Sequence, residues 1–270
     1  ALYALFSGEF APFAVLFLGQ ILNVGVSLSV YAFAKTLTGS WKIALLAGLL
    51  TAFTTKMPGY YLSWGRYTLL AGILLMPLAM SFGLKVLRGE GKPGRLAGLA
   101  MLTAGTLLTH YFNAFLLAIF FVLLGLVWLA KGRADKKLAW GQFIRLLVPV
   151  LFGLLLVSPW YWRIYAYSGN RTAVSLSLVG LAAERQDQWE YLGYVLGGQL
   201  NYLLAIMAGA SALWYLIKAR HLSFVFWSVL VGLLSLPIGL QISNFRYDYF
   251  ALIVFFPISV LAASFLGRLA

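Results

Sequence analysis

This chain predicts an all-α fold, a polytopic transmembrane helix bundle of about nine spans with its N-terminus outside the cytoplasm and its C-terminus inside. Three observations carry that prediction. Of 270 residues, 62% are hydrophobic and only 10% charged, with mean hydropathy +0.90, whereas a soluble domain carries about 25% charged residues. The apolar residues form continuous runs rich in Leu, Ala, Gly and Phe rather than alternating patterns. A backbone in lipid must satisfy its own polar groups, so runs of this kind fold as helices. Finally, charge is confined to the gaps between runs, and its balance alternates from gap to gap.

The runs fall at 12–34, 43–55, 68–87, 96–109, 111–130, 146–162, 191–217, 222–242 and 250–267. About 20 residues at 1.5 Å rise cross a ~30 Å hydrocarbon core. Runs 43–55 and 96–109 are short, and each needs flanking residues or a locally thin bilayer to span. The first two runs are joined by the short basic connector KTLTGSWK (35–42), and the third follows the aromatic loop TKMPGYYLSWGRYT (55–68). RGEGKPGR (88–95) reads as a Gly/Pro turn before the fourth run, and an almost loopless turn at His110 separates the fourth from the fifth. KGRADKK (131–137) leads into a short amphipathic stretch, AWGQFIR, ahead of the sixth run, and a long loop, 163–190, precedes the seventh. Pro77, Pro149, Pro237 and Pro257 stand inside runs and predict kinks. Apolar runs recur to the C-terminus, so a signal peptide does not account for them. With no cysteine, disulfides and thiolate metal sites are excluded.

Every second gap is basic: Lys35, Lys42, Lys85, Arg88, Lys92, Arg95, Lys131, Arg133, Lys136, Lys137, Arg145, Lys218, Arg220 and Arg268 stand against only Glu90 and Asp135. The intervening gaps hold Lys56, Arg66, Arg163, Arg171, Arg185 and Arg246 against Glu9, Glu184, Asp187, Glu190 and Asp248. Under the positive-inside rule the first set is cytoplasmic and the second extracytoplasmic. The net charge of +13 is thus a topology signal, at most a contact with anionic bilayer lipids, and not a nucleic-acid footprint. The expected location is the plasma (inner) membrane. Residues 1–270 read as one transmembrane domain, and an opening in mid-loop suggests a portion of a longer chain.

The unusual polar residues gather in the extracytoplasmic gaps: TKMPGYYLSWGRYT, THYFN (109–113), SPWYWRIYAYSGNRT (158–172), ERQDQWEY (184–191) and SNFRYDYF (243–250). Aromatics interleaved with charges and amides suit either an interfacial belt or a sugar site, where rings stack on pyranose faces. A belt should line both interfaces, and the cytoplasmic gaps hold few aromatics, which favours a site. Arg246, flanked by Tyr247 and close to Asp248, offers a planar donor fork matched to a phosphate. His110 suits a phosphate contact or a structural hydrogen bond. Glu184, Asp187 and Glu190 recur every three residues, so on a helix they share a face, beside Trp189. Such carboxylates can hold a divalent cation or simply be solvated. No other cofactor is expected.

The order of elements resembles the membrane module of the C-type (GT-C) glycosyltransferase superfamily, near its protein O-mannosyltransferase and aminoarabinose-transferase branch. The resemblance rests on YAFAKTLTGSWKIALLAGLL, YYLSWGRYTLLAGILL, GRLAGLAMLTAGTLLTHYFNAFLL, LVPVLFGLLLVSPWYW and NFRYDYFALIVFFPISVLAA, which are similar in order and orientation to the family's segments. It implies an enzyme that takes a sugar from a polyprenyl-phosphate lipid on the extracytoplasmic side. By matching position, Arg246 with Tyr247 is the first candidate for the donor phosphate, His110 the second, and Arg66 with Tyr67 the third. Trp189, Glu190 and Asp187 are acceptor-side or plain loop residues. The family's acidic pair follows its first span. Glu9 has no acidic partner, so no catalytic base is assigned. The alternative is a non-catalytic scaffold or accessory subunit working with other membrane subunits.

Overall fold

A computed structural model describes residues 11–63, 65–132, 136–168, 176–178, 185–198, 201–236, 240–242 and 247–269. The described residues are helical apart from one small ribbon. The helices are α1 (Ala11–Thr38), α2 (Trp41–Phe53), α3 (Tyr60–Ser63), α4 (Tyr67–Leu87), α5 (Pro93–Thr109), α6 (Tyr111–Lys131), α7 (Lys136–Ser168), α8 (Arg185–Leu196), α9 (Asn201–Ile217), α10 (Leu222–Ser235), α11 (Tyr247–Ile253) and α12 (Phe255–Leu269). Strands β1 (Leu176–Leu178) and β2 (Leu240–Ile242) pair antiparallel, Leu176 opposite Ile242.

Among the described residues four helices are long and apolar enough to cross a membrane, within Pro12–Thr38, Tyr67–Leu87, Tyr111–Lys131 and Lys136–Ile164. A fifth crossing results if α8 and α9 count as one bent span. α2, α10 and α12 are shorter apolar helices. Several apolar helices of this kind make an integral membrane protein. α4 is the central one, with 67% of its most apolar window buried against 22% for α1 and α7, which keep broad apolar faces outward.

Three of the expected runs fold differently, each for a local reason. Run 191–217 is bent by 86° between α8 and α9. Gly197 and Gly198 supply the break with φ of +99° and +108°, a region open mainly to glycine. Run 222–242 stays helical only to Ser235. Leu236 precedes Pro237 and is extended (φ −73°, ψ 142°), as a residue before proline prefers. The end of that run forms β2 instead of a kinked span. Run 250–267 begins three residues earlier and divides at Val254, because Pro257 has no N–H for the Ile253 carbonyl. The stretch AWGQFIR is no separate element but an early part of the 33-residue α7, which also continues through 158–168, well past the expected end.

Packing follows small residues and aromatics. Phe33 of α1 meets Phe224 of α10 at 4.9 Å and Phe256 of α12 at 5.3 Å. Trp227 joins the cluster and donates its indole N–H to the Leu116 carbonyl of α6 at 2.9 Å. Where α5 meets α7, a Cβ on Gly153 would stand 2.7 Å from the Ala100 carbonyl, so the backbones touch there, as small residues permit in membranes. Asn113 of α6 is fully buried and donates to the Leu69 carbonyl of α4 at 2.9 Å.

Candidate functional site

The two ends of the bundle have opposite chemistry. At one end the basic gaps meet. Arg88 donates to the Thr36 and Leu37 carbonyls at the C-terminus of α1, at 2.5 and 3.4 Å. Lys131 donates to the Ala219 carbonyl, and Arg268 lies over the rings of Trp214 (4.1 Å) and Tyr215 (4.8 Å). Carbonyls at a helix C-terminus lack intrahelical donors, which is why Arg88 and Lys131 dock on them.

At the other end sit His110, Tyr111, Arg66 and Tyr249. His110 is the whole joint between α5 and α6: its N–H bonds the Thr106 carbonyl at 3.3 Å, and its side chain caps α6. In that cap Nδ1 accepts the Phe112 N–H at 3.2 Å, so the neutral ring carries its proton on Nε2. Burial, and then the positive charge of Arg66, push the imidazole pKa below its usual 6.5. Both effects leave His110 a neutral donor at pH 7. The Tyr111 ring stacks on His110 at 4.7 Å and 17°. Tyr111 also hydrogen-bonds Tyr249 of α11, whose ring lies 5.4 Å from Phe112.

Arg66 precedes α4 behind Gly65 (φ +64°), is exposed, and acts electrostatically on His110, Tyr111 and Tyr61. Tyr61, fully buried, donates to the Leu252 carbonyl at 2.8 Å and fixes this corner to α11. Burial first, then the neighbouring Tyr191, raise its pKa well above 10, so it remains a phenol. Two of the sequence candidates, Arg66 and His110, are thus brought together. Tyr67 is not joined to them: its ring fills the space beside Gly19 of α1 and serves the α1–α4 contact.

α8 lies across this end, pinned to the turn before α3. Lys56 Nζ sits 3.3 Å from the centre of the Tyr194 ring, Tyr60 packs on the same ring, and Asn201 donates to the Thr54 carbonyl at 2.5 Å. Beneath α8 an apolar cavity of about 310 Å³ opens between α9, α10 and α12. Trp189 and Leu196 form its roof, and Tyr202, Ala208, Gly232 and Ile258 its walls. Along α9 the lining runs from Tyr202 to Ala212. At 1.5 Å per residue that is about 15 Å, half of a ~30 Å hydrocarbon core.

Glu190 is exposed next to Trp189, and Asp187 lies one turn earlier on α8, though its side chain is outside the described residues, as is Glu184. Arg246 is also outside them, and so is the side chain of Tyr247, which opens α11. The β1–β2 pairing joins the long loop after α7 to the stretch after α10. Among the described residues no group of three or more His, Asp or Glu is arranged to hold a metal ion. Sequence reasoning missed Tyr111 and Tyr249 as partners, because only the docking of α11 on α6 brings them together. A lipid-sized space between kinked helices was expected, but not its place under α8 among α9, α10 and α12. Compared with protein families, curated proteins and solved structures, the chain matches none.

Proposed function

We propose that this protein handles a polyprenyl-phosphate-linked sugar at the extracytoplasmic face of the plasma (inner) membrane, as a glycosyltransferase of the GT-C kind or the donor-lipid portion of one. The nine-span topology belongs to this reading, with the basic end in the cytoplasm. What supports it is the apolar groove that runs about 15 Å along α9 at the end of the bundle holding Arg66 and His110. An isoprenoid chain fits such a groove, and its phosphate would lie at the headgroup level beside α8. Arg66, the neutral Nε2–H of His110 and, by position in the sequence, Arg246 would stabilise charge on the departing phosphate. An extracytoplasmic carboxylate would accept the proton of the acceptor hydroxyl in a single displacement. Trp189, on the groove roof with Glu190 beside it, would face the sugar or its acceptor.

The test is photolabelling of the reconstituted protein with a diazirine-bearing polyprenyl phosphate. Labelling should map to α9, α10 and α12. It should drop at least about tenfold in Ala208→Trp, which fills the groove, and in Arg246→Ala, which should also abolish sugar transfer while insertion persists. Labelling spread over the outer faces of α1 and α7, and unchanged by both substitutions, would end this reading.

A further inference from the structure

The basic end carries an inference independent of the sugar-donor reading. His221 stands at the start of α10 in a left-handed conformation (φ +50°), with its ring edge-on to Tyr215 at 4.9 Å. Four cations from four separate segments lie near enough to act on its charge. Arg268 reaches it across Tyr215, Lys131 is bonded to the carbonyl two residues before it, and Arg88 and Arg220 complete the set. Together with burial, which is the larger cause, they push its pKa down to about 4. Glu90 is the acid on this side among the described residues, and it is committed to Arg95 at 2.9 Å. Arg268 also has a buried Nη1 without a hydrogen-bond partner, although its Nη2 is bonded to Ser211.

We propose that Arg88, Lys131, Arg220 and Arg268 form a binding site for the phosphate of an anionic membrane lipid. Guanidinium groups match phosphate oxygens through paired N–H donors, and basic pockets between transmembrane helices suit anionic headgroups. The surroundings favour a lipid over a free anion. Leu213, Ile217 and Leu269 are exposed within one turn of Trp214 and Arg268, an apolar surface for acyl chains beside the charges. Trp214 supplies the ring at headgroup depth.

The experiment places the whole chain in nanodiscs of phosphatidylcholine alone or with roughly one-fifth phosphatidylglycerol. The imidazole resonance of His221, identified by its loss in His221→Asn, is followed against pH. A phosphate diester among the cations should raise the His221 midpoint by about one pH unit or more. The double variant Arg220→Gln/Arg268→Gln should abolish the difference between the two discs while its helical circular dichroism is retained. Should that variant fail to fold, lipids co-purified with the wild-type chain are counted by native mass spectrometry, where retained phosphatidylglycerol is expected. Equal midpoints in the two discs, a variant that responds as wild type does, or no retained anionic lipid would overturn the proposal. Millimolar inorganic phosphate in phosphatidylcholine discs should leave the midpoint unmoved. A shift equal to that from phosphatidylglycerol would overturn the lipid assignment.

Discussion

The contact between α4 and α6 permits a close quantitative test. A Cβ built on Gly72 would stand 2.1 Å from Asn113 Nδ2, 2.9 Å from Thr109 Oγ1 and 3.0 Å from Asn113 Cγ. Asn113 is fully buried and its amide is held by the Leu69 carbonyl. Gly72→Ala therefore forces the amide aside and breaks an interhelical hydrogen bond. Overpacking costs about 1–3 kcal/mol, and an interhelical hydrogen bond in a membrane protein contributes about 0.6–1.7. Alanine returns about 1 kcal/mol in helix propensity, which leaves a net loss of about 0.6–3.7. Asn113→Ala alone should cost about 1–2 kcal/mol, from the lost bond and the space it vacates. In the double variant the new methyl occupies that space, so its stability should equal or exceed that of Asn113→Ala. Equilibrium unfolding by SDS in mixed micelles measures all four proteins. A Gly72→Ala protein as stable as wild type, or losses that simply add in the double variant, would refute the steric argument. Asn113 lies in the first turn of α6 next to His110, so the same variant should also weaken polyprenyl-phosphate labelling.

Three further outcomes are expected. Because burial and neighbouring cations hold His221 at about 4, the unfolded chain binds more protons between pH 6.5 and 4. Stability should fall across that window by up to about 3 kcal/mol, and His110 acts with the same sign. Thermal unfolding against pH should show the loss, and His221→Asn should flatten it while tolerating the left-handed backbone. His110→Asn keeps an acceptor for the Phe112 N–H and should stay within about 0.5 kcal/mol of wild type, whereas His110→Ala loses about 1. Both lack the Nε2–H in its native place, so both should bind the lipid phosphate more weakly in the photolabelling assay. Trp227→Phe removes the bond to Leu116 and leaves a gap between Phe224 and Phe256. It should cost about 1–2 kcal/mol in SDS unfolding without changing labelling.

Most of the helices could be read from the order of residues, and the reason is solvent. In lipid every backbone polar group bonds within its own helix, so apolar length alone locates α1, α4 and α6 to within a few residues. Charge in the gaps likewise marks which segments belong together, and the basic gaps do meet around His221. The place of His110 between two runs already implied a tight joint, which the structure has. Arg66 was legible as a charge in an aromatic loop. Their pairing was not, since nothing in local sequence orders 66 beside 110. The bend at Gly197–Gly198, the end of α10 before Pro237 and the division at Val254 each depend on one or two residues that a hydropathy pattern averages away. What only the tertiary structure decided is the space between helices: the groove under Trp189, the Tyr111–Tyr249 contact and the four cations around one imidazole. Van der Waals packing between helices has little periodic signature along the chain, because lipid and protein interior are equally apolar. The sequence therefore determined where most of the apolar helices lie, and side-chain fit determined how they lie against one another.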